Sequence, residues 1–179
     1  MGATILALTK LNARSASALD ATILTGNLPA INGSALTNLS AGKVGQVVNK
    51  VDGTYQATSS NTFADTSLSQ AFTPTATSSK VLIMCEHQCM KSSGNTGIKL
   101  QLLRDSTTLG QFISIGGETE ETTRNDFGSS CFFYLDSPST TSEVTYKTQM
   151  ANYVNGTGGA RVNGSANDQS SMVLMEILA

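Results

Sequence analysis

From Val44 to the C-terminus the chain is a succession of short apolar segments, each closed by Gly, Asn, Asp or Ser. That punctuation constrains the fold more than any other feature, because it leaves no room for long helices. The segments read as strands over 44–51, 68–74, 80–91, 96–105, 109–116, 130–137, 143–153 and 171–178. A turn signal, Asp52-Gly53, follows the first of them, and the two Asn-Gly pairs within 154–171 predict a small hairpin. A polar loop is expected over 117–129. Strands at this spacing predict an all-β fold: an antiparallel β-sandwich of jelly-roll type.

Several of these segments are apolar on both sides. Val173, Met175 and Ile177 alternate with Met172, Leu174 and Leu178, with Glu176 among them, and 81–85 and 131–135 behave alike. A strand that is apolar on both faces is covered on both faces. One cover is the opposing sheet of the sandwich. In a chain this small the second cover is expected to be another subunit, and a homotrimer is the favoured arrangement. A monomer with overlapping core strands is the alternative.

Residues 1–43 differ. They contain no aromatic residue and are rich in Ala, Leu, Ser, Thr and Asn. Ile5, Leu8, Leu11, Leu19 and Ile23 fall at roughly helical spacing and predict a short helix over 4–24. Beyond it Leu24, Leu28, Ile31, Leu36 and Leu39 recur through a segment broken by Pro29 and several glycines. A flexible linker has no reason to space apolar residues in this way. The segment therefore reads as a helical-to-extended stalk that packs against copies of itself. The division expected is an attachment and stalk segment, 1–43, and a sandwich tip domain, 44–179.

Charge is sparse. Asp, Glu, Lys and Arg make up 13% of the 179 residues and the net charge is −2. A globular domain carries about 25% charged residues; here Ser, Thr, Asn and Gly supply the polar surface instead. No cluster of Lys and Arg is present to neutralise phosphates, which argues against nucleic acid as a partner. No apolar run approaches the about 20 residues of a membrane span, which argues against membrane insertion. The apolar run at the start has no basic residue before it and is weak as a signal peptide.

One stretch concentrates the soft, reactive side chains. Residues 84–90, Met-Cys-Glu-His-Gln-Cys-Met, hold the only histidine and two of the three cysteines. On a strand, Cys85, His87 and Cys89 share a face with Val81 and Ile83. Alternate positions lie about 6.5 Å apart, too far for a Cys–His hydrogen bond or for three ligands of one tetrahedral zinc. Cys85 and Cys89, about 13 Å apart along the strand, cannot form a disulfide. Free buried thiols in a protein made in a reducing cytoplasm are the simpler reading. The one metal arrangement left open gathers His87 from each copy around an oligomer axis, and no metal ligand or cofactor is assigned.

The remaining candidates carry weaker signals. Glu118, Glu120, Glu121, Arg124 and Asp126 lack the spacing of a calcium loop. A carboxylate pair such as Glu118 with Asp126, or either with Asp105, would have to converge for glycoside cleavage. No nucleophile elbow, phosphate loop or metalloprotease helix occurs, and the chain reads as a non-enzyme. The loop 154–170 is the best candidate for recognition, with Asn155, Thr157, Arg161, Asn163 and Asn167 as receptor-facing residues. Amides and one guanidinium suit hydrogen bonding to sugar hydroxyls or peptide groups.

Several phrases resemble the distal domains of trimeric fibre proteins of tailed bacteriophages, particularly marine ones. They are GNLPAINGSALTNLSAGKVGQVV, FTPTATSSKVLIMC, LQLLRDSTTLG, FYLDSPSTTSEVTYKTQM and the terminal LMEILA, and together they fall within residues 25–179. The resemblance implies a trimeric β-sandwich on the surface of a virion, made in the cytoplasm of a bacterial host. It implies adhesion to a host-surface glycan or protein through tip loops, and docking to other virion proteins through the N-terminal segment. The alternative it carries is a capsid decoration, cement or head-fibre protein that stabilises the shell.

Overall fold

The computed structural model describes residues 43–120, 125–156 and 158–179. Residues 1–42, which hold nearly all of the expected stalk, lie outside the described residues, as do Glu121, Arg124 and Thr157.

The elements are β1 (Val44–Asp52), β2 (Gln56–Thr58), β3 (Ala64–Phe72), β4 (Lys80–Lys91), β5 (Thr96–Arg104), β6 (Thr107–Thr119), β7 (Asn125–Asp136), β8 (Val144–Asn152), β9 (Ala160–Val162) and β10 (Ser170–Ile177). Eight of them are the strands read from the sequence. The three-residue strands β2 and β9 are additions, and they pair with each other. The expected hairpin within 154–171 is instead a single strand, β9, that pairs with β4 and β2. The expected loop over 117–129 is largely strand, because β6 runs to Thr119 and β7 begins at Asn125.

All pairings are antiparallel and form two sheets. In sheet A, β10 lies between β1 and β4, and the far side of β4 pairs with β7; β9 continues the β10 side of β4, followed by β2. In sheet B the order is β3-β8-β5-β6. Among the long strands only β5 and β6 are joined by a hairpin within one sheet, through Asp105-Ser106; every other step from one long strand to the next crosses between sheets. This is a jelly-roll β-sandwich. Close to the β6–β7 crossing, Gly117 adopts φ +67°, and an added Cβ there would collide with the Phe127 ring.

The inner faces meet in two apolar clusters. One contains Leu68, Phe72, Val81, Ile83, Cys85, Leu102, Val144, Tyr146, Met172 and Leu174. The other contains Cys89, Ile98, Leu100, Met150, Ala160 and Val162. Burying each large aliphatic side chain contributes roughly 1.5–3 kcal/mol. Phe112 of β6 stacks on Phe132 of β7 at 4.9 Å and bridges the sheets.

Candidate functional site

Strand alternation sets the chemistry of the MCEHQCM segment. Cys85, His87 and Cys89 point inward from β4, as the sequence predicts, and all three are buried. His87 lies in a layer between the two apolar clusters. Its Nε2 is 2.8 Å from Thr148 Oγ1 on β8, and its Nδ1 is 2.8 Å from Ser170 Oγ on β10. Thr148 Oγ1 is 2.6 Å from Thr66 Oγ1 on β3. Ser170 donates to Asn163 Oδ1, and the Asn163 amide donates to the carbonyls of Asp52 and Thr54.

These bonds assign the tautomer. Because the Ser170 hydroxyl donates to Asn163, it accepts from His87 Nδ1–H; Nε2 then accepts from Thr148, which accepts from Thr66. The imidazole is neutral and both nitrogens are spent on hydroxyls. Burial lowers its pKa to about 4 against a weaker opposing pull from Asp52. Enclosed between the sheets, His87 cannot lie on an oligomer axis, which removes the axial metal arrangement. Burial pushes the Cys85 and Cys89 thiols up to about 12, so neither supplies a thiolate near neutral pH.

Two further carboxylates are built into the interior. Asp136 of β7 accepts from Arg104 Nη1 at 2.6 Å and from the Tyr146 hydroxyl at 2.7 Å, joining sheet A to sheet B. Glu176 of β10 accepts from the Thr75 amide and hydroxyl and from Gln46. Burial opposes its ionisation, but these donors prevail and hold its carboxyl below the usual value.

The loop residues separate. Asn155 and Asn167 are exposed. Arg161 lies on β9, half-buried, with its guanidinium 5.9 Å from the Tyr55 ring centre. Asn163 does not face a receptor: it is 2% exposed, sits in a left-handed conformation at φ 52°, and its amide joins the strand ends as described. Asn-Gly spacing signals a turn but says nothing of which way the Asn side chain points. Glu118 and Asp126 lie on strands of different sheets.

The outer faces of the two sheets differ, and that of sheet A is the second apolar side that the sequence predicts. Outward rows cross sheet A through cross-strand partners: Val47 with Met175, Leu82 and Leu135, and Asn49 with Val173, Met84 and Phe133. Phe133 is 66% exposed, Val47 55% and Leu135 50%. A hollow of about 160 Å³ opens beside Met84, Cys131, Phe133 and Val173. The outer face of sheet B is polar. Gln101 donates to Gln149, Gln149 to Asp65, and Lys147 to the other Asp65 oxygen at 2.8 Å. Those bonds from Lys147 and Gln149 hold the Asp65 carboxyl below its usual value.

No protein-family model matches the chain, and no curated protein matches it. Among solved structures it is similar to the VP2 subviral particle of infectious bursal disease virus, at 15% identity and TM-score 0.47, covering 85% of this chain and 42% of that one. The structure of the Gt strain of the same virus overlaps at 14% identity and TM-score 0.47, over 85% of this chain and 43% of that one. The chain thus spans less than half the length of these structures.

Proposed function

We propose that this protein is a non-enzymatic structural component of a bacteriophage particle: a homotrimeric fibre whose sandwich domain projects from the virion and adheres to the host surface. The observation that carries the reading is the outer face of sheet A. Contiguous exposed Val47, Phe133 and Leu135, backed by Met84, Val173 and Met175, exceed the scattered apolar residues of an ordinary monomer surface. Packing that face against other copies supplies the second cover that its strands call for. The polar outer face of sheet B then remains in water. The phrases shared with phage fibres supply the virion context, and the N-terminal segment is the docking element. Three weak sites on one rigid trimer raise avidity without new contacts.

Light scattering of the purified full chain tests the assembly: about three chain masses are expected, and a clean monomer would refute it. Immunogold microscopy of virions with an antibody to residues 44–179 tests the location. Gold at fibre or tail ends supports adhesion. Gold spread over the head favours the decoration or head-fibre reading, in which the same apolar face binds the shell.

A further inference from the structure

The outer face of sheet B carries a groove of about 730 Å³, within the range of about 300–1,000 Å³ typical of small-ligand sites. It lies where β3 and β8 break register between Asp65 and Ser69. The Asp105-Ser106 turn forms its other end and is pinned to β8, with the Asp105 amide donating to the Thr145 carbonyl at 2.7 Å and the Thr145 amide returning a bond to Asp105 Oδ1 at 2.8 Å. The site is therefore shaped by backbone rather than by a loose tip.

We propose that this groove binds a neutral or amino-sugar oligosaccharide, and that it, rather than the 154–170 loop, is the receptor site of the adhesin. The inference rests on the adhesive reading above and names its ligand class. Four features select that class. Gln149, Asp65 and Lys147 are already held by mutual hydrogen bonds, so the polar wall is set before a ligand arrives. The hydroxyls of Ser69 and Thr108 line the groove with no protein partner among the described residues. Leu103, opposite Lys147 in the register and so on the outer side of sheet B, is only 5% exposed. It closes the floor of the groove, so a ligand is held by the polar walls, which suits the hydroxyls of a sugar. Finally, Asp65 and Asp105 outnumber the single cation, Lys147, so phosphorylated, sulfated or sialylated ligands are disfavoured.

The experiment applies the assembled full-length protein to a printed array of neutral, amino-sugar and acidic oligosaccharides, and then titrates the bound sugars in solution. Binding confined to neutral or amino sugars is expected. Gln149→Ala and Asp65→Asn should each weaken it about tenfold, Thr108→Tyr should block it, and Asn155→Ala with Asn167→Ala should leave it intact. Unchanged thermal melts certify that the variants fold. An array bound only at acidic sugars, or not at all, overturns the proposal. So does binding lost in the loop variants and kept in the groove variants. A blank array from a protein that is trimeric and gold-labelled at fibre ends rejects the groove alone; a monomer absent from virions rejects the adhesive reading itself.

Discussion

His87 Nδ1 lies 2.8 Å from Ser170 Oγ, and through that bond the single histidine of the chain is fixed neutral inside a layer of hydroxyls and amides. The layer crosses both sheets, from Thr66 and Thr148 to His87, Ser170 and Asn163, and divides one apolar cluster from the other.

Stability should fall on mild acidification. The folded pKa of His87, about 4, lies below its unfolded value of 6.5. Between these values the unfolded chain binds the extra proton, so stability is full above pH 6.5 and is lost as pH falls toward 4. The loss by pH 5 should be about 2 kcal/mol. No other histidine contributes, and carboxylates titrate mainly lower. Urea unfolding at pH 7.5 and pH 5 measures it; in His87→Gln that slope should vanish over this window.

Thr148→Val keeps the shape of the side chain and removes the hydroxyl shared by His87 and Thr66. Two buried polar groups lose a partner, and the expected cost is about 1–3 kcal/mol at pH 7. Chemical denaturation measures it, and a neutral result would mean that water replaces the hydroxyl.

Asp136→Asn should destabilise by about 2–4 kcal/mol, since it removes the charge facing Arg104 inside the sandwich. Tyr146→Phe removes one donor and leaves the ion pair in place, so it should cost about 1 kcal/mol. A double-mutant cycle by thermal unfolding should show the two effects coupled.

If the outer face of sheet A packs against other copies as proposed, substituting Phe133→Lys together with Val47→Lys should convert the proposed trimer to monomers. Both side chains are exposed in the single chain, so the fold itself should change by no more than about 0.5 kcal/mol per site. Light scattering and thermal melts separate the two outcomes.

Thiol labelling should be uneven. Cys131 is exposed on the outer face of sheet A, whereas Cys85 and Cys89 are buried. One fast-reacting thiol per chain is expected in the double variant, and slower labelling of the same thiol in the proposed trimer. Fast modification of Cys85 or Cys89, located by mass spectrometry, would contradict the enclosed interior.

The eight long strands were legible because each carries its own alternation and ends at a turn residue. The inward direction of Cys85, His87 and Cys89 followed from the same period of two. What alternation cannot reveal is partnership across the sandwich. Thr66, Thr148 and Ser170 are ordinary polar residues until the topology brings them to His87. Asn163 looked like a surface turn residue for the same reason. The strands β2 and β9 are too short for a periodic signal, and the groove on sheet B arises from a register break that no local pattern records.

The polar layer also acts as a ruler. Alternation by itself protects a strand against slipping by one residue, since that turns its apolar set outward. A slip by two keeps every side chain on its proper face. In β4 such a slip would set His87 against Met172 and Cys89 against Ser170, burying an imidazole and a hydroxyl without their partners. In a sandwich where nearly every strand finds its neighbours far along the chain, that single mismatch tells the correct alignment from its nearest imitation.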